Sequence, residues 1–169
     1  YESRLNATHA VVNAIMAANK PPVLINASAV GYYGDTMTPS SEAMRAGTTF
    51  LAEVTYAWER EALRAAHHTR VACMRIGVVL DGSQGALPKM LLPLKHGIGG
   101  PLGSGRQWFP WIHVDDVVNA FVWATENSSV LGPVNLVAPD SCTMRTFVST
   151  LGRVLHRPTL CRVPEVALR

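Results

Sequence analysis

The run Asn26-Ala27-Ser28-Ala29-Val30-Gly31-Tyr32-Tyr33-Gly34 concentrates hydroxyl chemistry in one place. It sets one serine and two phenols among residues small enough to let a flat ligand ring reach the backbone. Such hydroxyls can hydrogen-bond a substrate carbonyl or hydroxyl, and a phenol can exchange a proton. The run grows out of Val23-Leu24-Ile25, an apolar stretch without polar alternation. That pattern predicts a strand covered on both faces, as in a parallel sheet. In open α/β sheets ligands bind in the crevice at the carboxyl edge of the strands. A strand end followed by an ordinary turn is the competing explanation, and position in the fold decides for function. Ser28, Tyr32 and Tyr33 are therefore the candidate catalytic residues.

Other patterns carry less. His113 followed by Asp115 and Asp116 has the residue types of an acid–base pair, but carboxylates in a first helical turn already offset the helix dipole. A Ser28–His113–Asp115 hydrolase triad needs a sharp nucleophile elbow, and Asn26 and Val30 stand where its glycines belong. The tract Gly97-Ile98-Gly99-Gly100-Pro101-Leu102-Gly103-Ser104-Gly105 follows a predicted helix rather than a strand and lacks the third glycine of a dinucleotide fingerprint. It reads as a tight turn with close backbone passage. Cys73, Cys142 and Cys161 are too far apart for a metal site and, with no secretory segment ahead of them, are expected to be free thiols in a reducing compartment.

The elements that must position these residues follow from periodicity. A helix is predicted over 1–19, with Leu5, Thr8, Val12, Ile15 and Met16 on one face. A polar loop over 31–47 is longer than an ordinary connection and is expected to be functional. The helix over 50–67 should turn Leu51, Val54, Trp58, Ala62 and Ala65 inward, and residues 71–80 should form one buried strand. Strand, helix, strand in that order is a right-handed βαβ unit. Further on, helices are predicted over 87–96, 114–127 and 143–156, and strands over 107–113 and 134–137. The helix over 114–127 should bury Val114, Val117, Val118 and Phe121. A last short strand over 160–163 and a helix opening at Pro164 complete the reading. Composition agrees with a folded domain: among 169 residues 48% are hydrophobic, 16% are charged and the net charge is +3. That balance excludes a disordered segment, and the arginines, scattered singly, form no basic stripe for nucleic acid. No apolar stretch reaches the length of a membrane-spanning helix.

Together, Ser28 at a strand end, Trp58-Glu59 on a helix, Met74-Arg75-Ile76-Gly77-Val78-Val79-Leu80 and Trp111-Ile112-His113-Val114-Asp115-Asp116 resemble the extended short-chain dehydrogenase/reductase superfamily. Gly85-Ala86-Leu87-Pro88-Lys89-Met90-Leu91-Leu92-Pro93, the tract Gly99–Gln107 and Gly132-Pro133-Val134-Asn135-Leu136-Val137-Ala138-Pro139 are similar to its "epimerase family" branch of nucleoside-diphosphate-sugar epimerase-like proteins. The resemblance runs over essentially the whole chain. It implies an α/β fold, the C-terminal part of a Rossmann-like doubly wound parallel sheet, with residues 82–113 and 139–169 contributing to a small substrate-side lobe. It also implies NADP, or NAD, as cofactor. Cofactor contacts would come from Arg4, Ala27, Ser28, Leu51, Thr55, Arg75, Gly77 and Val78, and substrate contacts from Arg106 and His113.

The resemblance exposes two departures. The superfamily's Tyr-x-x-x-Lys pair, aligned through Glu59, falls on Leu51 and Thr55, neither of which can exchange a proton or hold a nicotinamide ribose. The Gly-rich first strand of such proteins has no counterpart here, so the missing N-terminal half, or a partner subunit, is expected to complete the sheet. The implied function is a reductase or epimerase acting on a sugar nucleotide or another small carbonyl compound. The alternative is a dinucleotide-binding sensor or structural subunit without catalysis. No metal is expected, and the compartment implied is intracellular, cytoplasmic or mitochondrial.

Overall fold

A computed structural model of the chain describes residues 2–19 and 21–161. In chain order the elements are α1 (Glu2–Ala17), β1 (Leu24–Ala29), α2 (Phe50–Leu63), β2 (Val71–Ile76), β3 (Val78–Leu80) and α3 (Ala86–Lys95). They continue with β4 (Trp108–Phe109), β5 (Trp111–His113), α4 (Val114–Glu126), β6 (Gly132–Leu136), β7 (Cys142–Thr143) and α5 (Met144–Leu155). The chain divides into two compact units, one holding the residues up to Gly77 together with Asp115–Leu136. The other holds Val78–Val114 and the residues from Val137.

In the first unit β1, β2 and β6 form a parallel sheet with β2 in the middle. Alternate side chains face opposite layers of helix. Leu24, Val71 and Cys73 pack with Val12 and Ile15 of α1 and with Ala62 and Ala65. Ile25, Ala72, Met74, Ile76, Val134 and Leu136 pack against Ala120, Phe121 and Ala124 of α4 and against Val130. Helices on both faces make this the doubly wound parallel arrangement the apolar strands called for. Arg70 fastens the α4 layer by donating to the carbonyls of Ala124, Thr125 and Val130 at 2.7–2.9 Å, which satisfies acceptors left open at a helix end.

In the second unit β3 pairs parallel with β5, and β4 pairs antiparallel with β7. Leu80, Leu94, Phe109, Met144, Phe147 and Val148 form its core. Thr143 caps α5 by accepting from the Thr146 N–H. The glycine tract is the close passage expected: a Cβ on Gly99 would stand 2.5 Å from Leu94 Cδ2. Residues 82–113 and 139–161 lie in this unit.

Several elements differ from the sequence reading. The single strand expected over 71–80 is two, because the Gly77 N–H bonds Leu136 O and the Val78 N–H bonds Pro110 O. An unbroken apolar run does not record which neighbour each half pairs with. The strand expected over 107–113 also breaks, at Pro110, which has no N–H to donate to a ladder. On α2 the buried residues are Ala52, Thr55, Glu59 and Ala62, whereas Leu51 is 65% exposed. The inward face is rotated because it carries two polar residues with partners, which a search for apolar periodicity passes over. On α4 Val118 is exposed, and on α1 Met16 is too. Leu160 and Cys161 take no regular structure, and the rest of the last predicted strand and helix lies outside the described residues.

All three cysteines are free, and Cys73 is fully buried on β2. Burial pushes its thiol up to about 12, with the Glu59 carboxylate adding to the shift and Arg75 opposing it. Cys73 should therefore resist iodoacetamide at about pH 8 in the native protein and react once the chain is unfolded, whereas exposed Cys161 should react in both states. A thiol raised in the folded state contributes stability that is complete below its unfolded value of ~8.5 and is lost as pH rises toward its folded value. Native labelling of Cys73 as fast as of Cys161, followed by mass spectrometry, would contradict this burial.

Candidate functional site

The sheet face toward α2 changes character along its strands. Leu24 opposite Val71 is apolar, whereas at the carboxyl end Ser28, Arg75 and Asn135 stand opposite one another across β1, β2 and β6. Glu59 reaches this polar row from α2. Its carboxylate receives Arg75 Nε and Nη2 at 2.8 Å each, a two-point ion pair, and Ser28 Oγ donates to Oε1 at 2.5 Å. Ser28, Glu59 and Arg75 are 4%, 4% and 2% exposed, so these bonds form almost out of water. Burial disfavours the charge on Arg75, but the hydrogen bonds to Glu59 and then Tyr33 outweigh it and hold the guanidinium above its ordinary range.

The remaining partners come from the segment after β1. A 3₁₀ turn over Val30–Tyr33 brings both tyrosines back toward Arg75. The guanidinium carbon lies 3.4 Å from the Tyr32 ring centre and 5.1 Å from that of Tyr33. Arg75 Nη1 donates to Tyr33 Oη at 2.9 Å, and Tyr33 in turn donates to Asn135 Oδ1 at 2.6 Å. The loop returns tightly: a Cβ on Gly47 would stand 2.5 Å from Tyr33 O, so only glycine fits there. Among the described residues no buried side-chain nitrogen or oxygen lacks a partner.

Chemically, this arrangement commits its hydroxyls. Ser28 donates inward to Glu59, and Tyr33 both donates and accepts. The guanidinium beside Tyr33 belongs to a neutralised pair, so it acts there mainly as a hydrogen-bond donor. Thr55, to which the sequence resemblance assigns the place of the superfamily's Lys, is buried and returns its hydroxyl to Leu51 O at 2.7 Å. Leu51, to which the same resemblance assigns the place of the Tyr, lies beside Gly31 with its side chain largely in solvent.

The structure brings Ser28, Tyr32, Tyr33 and Arg75 together in one network. Ala27 is half-buried on β1 opposite Met74, and Gly77 ends β2 with its N–H on Leu136 O. Arg4 is exposed on α1, its guanidinium carbon 5.6 Å from the Trp58 ring centre, while the Trp58 indole N–H donates to Thr8. Val78, Arg106 and His113 belong to the second unit. There Arg106 is exposed in the glycine-rich turn with its N–H on Ser104 Oγ, and His113 is exposed opposite Leu80 on β3. The sequence singles out Glu59 and Asn135 only as members of family motifs, and Glu42 not at all. Two signals were available: Glu59 keeps helical spacing with Ala52, Thr55 and Ala62, and Asn135 interrupts an apolar strand. Among the described residues no group of His, Cys, Asp or Glu could hold a metal ion.

A parallel sheet between helix layers, with a polar row at its carboxyl edge, defines the Rossmann-type class to which the extended short-chain dehydrogenase/reductases belong. The chain is a member of the NAD dependent epimerase/dehydratase family, whose sequence pattern matches residues 1–136. It is 45% identical to the chloroplastic epimerase family protein SDR39U1 homolog of Arabidopsis thaliana, over 99% of this chain and 49% of that protein. It is 42% identical to the epimerase family protein YfhF of Bacillus subtilis, over 98% of this chain and 56% of that protein. The crystal structure of human epimerase family protein SDR39U1 with NADPH superposes on 99% of this chain and 58% of the human one, with a TM-score of 0.92 and 36% identity. The chain therefore spans about half the length of the curated relatives it matches.

Proposed function

We propose that the intact protein binds NADP, or NAD, and works as a reductase or epimerase on a small carbonyl compound, a sugar nucleotide being the favoured class. The single observation that carries this reading is the likeness, over 99% of the chain, to a human relative crystallised with NADPH. A bound dinucleotide would supply the hydride. On this chain the reading gives Ala27, Ser28, Leu51, Thr55, Gly77 and Val78 to the cofactor's surroundings, with Arg4 nearby, and Arg106 and His113 to the substrate. Ser28 and Tyr33 would hold and protonate the carbonyl, each by exchanging its internal partner for the substrate. Arg75 is the cation that keeps Tyr33 in place.

A second reading, a dinucleotide-binding protein without catalysis, is favoured by Leu51 and Thr55 in the places of the Tyr and Lys. Both readings share a completed sheet. Among the described residues β1 pairs only with β2, and a groove of about 320 Å³ lined by Val11, Ala14, Ile15, Pro22, Val23 and Leu24 borders its start. The remainder of the protein or a partner subunit would supply the strand next to β1. Free thiols favour an intracellular setting, cytoplasmic or mitochondrial. No helix of the described residues is long and apolar enough to cross a membrane.

The test is thermal stabilisation of the intact protein by NADPH, followed by NADPH turnover on a panel of sugar nucleotides. Stabilisation should grow with ligand concentration over Kd. Turnover that Ser28→Ala and Tyr33→Phe each lower by about 100-fold supports the enzyme. Stabilisation without turnover supports the second reading, and absence of stabilisation rejects both.

A further inference from the structure

The long segment after the 3₁₀ turn, 34–49, is tied to the sheet edge at two residues. Asn135 bonds it through its backbone N–H and its side-chain Nδ2, while its Oδ1 serves the turn just before it. Its backbone N–H donates to Glu42 Oε1 at 2.8 Å, its Nδ2 donates to Ser40 O at 3.1 Å, and its Oδ1 accepts from Tyr33. Glu42 is held a second time, because its carbonyl accepts from Arg75 Nη1 at 3.3 Å. Between the tied points and beyond them the segment is mostly exposed, Met37 at 68% and Met44 at 41%. The Gly47 N–H on Tyr32 O at 2.9 Å holds the far end of the segment, so its middle, with little apolar anchorage, depends on the bonds at Ser40 and Glu42. The bonds to Glu42 and Arg75 are charge-assisted, which makes them the strong ones.

We infer that Asn135 and Glu42 form a clasp that fixes residues 34–49 as a strap over the carboxyl ends of β2 and β6, with Arg75, set by Glu59, as the post on which the strap closes. Asn135 is thus a positioning residue: it touches strap, not ligand, and shapes the wall against which a ligand must lie. The clasp stands on these bonds alone, whereas its effect on substrate rests on the enzyme reading above.

Hydrogen exchange followed by mass spectrometry on the intact protein separates the two. Asn135→Ala and Glu42→Ala should each speed exchange within 34–49 by about tenfold or more, while β1 and β2 keep their protection. Asn135→Ala removes the bonds to Ser40 O and Tyr33, and Glu42→Ala removes the acceptor of the Asn135 backbone N–H, so the two changes together should speed exchange beyond either alone. Unaltered exchange in 34–49 overturns the clasp, as does an increase spread evenly over the strands. Glu42→Ala shortens a partly exposed side chain, so the test survives if Asn135→Ala fails to fold. With a turned-over sugar nucleotide, Glu42→Ala should raise KM several-fold with little change in kcat or in the NADPH thermal shift. A protein that turns over nothing counts against the enzyme reading and leaves exchange to judge the clasp.

Discussion

Glu59→Ala should destabilise the protein by about 3–5 kcal/mol, because it strips a buried guanidinium of its counter-charge. Arg75 is 2% exposed and cannot turn to water without leaving the row it shares with Ser28 and Asn135. Ser28 loses its acceptor in the same stroke. Against a typical folding free energy of roughly 5–15 kcal/mol this is a large share. Glu59→Gln should fall between, since it keeps an acceptor but turns a donor toward the guanidinium. Replacing both partners, Glu59→Met with Arg75→Leu, should cost much less than Glu59→Ala, because no charge is left stranded. Urea denaturation of the intact proteins, read by circular dichroism, ranks the variants. A loss below about 1 kcal/mol for Glu59→Ala, the worth of one ordinary hydrogen bond, would mean that water reaches Arg75 after all.

The same pair explains how far the sequence could be read. Apolar runs such as Val71–Met74 identify buried strands directly, because burial on both faces leaves no alternation to misread. The row Ser28, Arg75, Asn135 could not be found that way. It exists only through the register of three strands that lie far apart in the chain, and no spacing within any one of them reports it. The rotated face of α2 has the same origin: Thr55 and Glu59 are inside because Leu51 O, Ser28 and Arg75 satisfy them, and those partners are tertiary or local bonds rather than hydrophobicity. Hydroxyl-bearing residues at a strand end were legible as a site. What their hydroxyls are bonded to was not, since a serine reads the same whether its proton points at a ligand or at a buried carboxylate.

Restoring the superfamily's missing pair should be unequal in its effects at the two positions. Leu51→Tyr changes a side chain that is 65% exposed, so stability should move by no more than about 0.5 kcal/mol. Thr55→Lys is different. Thr55 is 5% exposed on the inward face of α2, between Ala52 and Glu59, and its hydroxyl is already spent on Leu51 O. A lysine there must bury its ammonium, displace Glu59 from Arg75 to find a counter-charge, or push the helix off the sheet. Each route costs several kcal/mol, and about 3 kcal/mol or more is expected for Thr55→Lys in the protein without dinucleotide. Denaturation midpoints of the two single variants measure the contrast directly. If Thr55→Lys were as stable as Leu51→Tyr, position 55 would open to solvent, and a lysine there could point to a ribose as in the wider superfamily. If the contrast holds, the packing of α2 has closed over the place where that lysine would sit. Within this chain the Ser28–Tyr33 edge would then be the place to look for proton exchange, and the turnover measurements on Ser28→Ala and Tyr33→Phe test it.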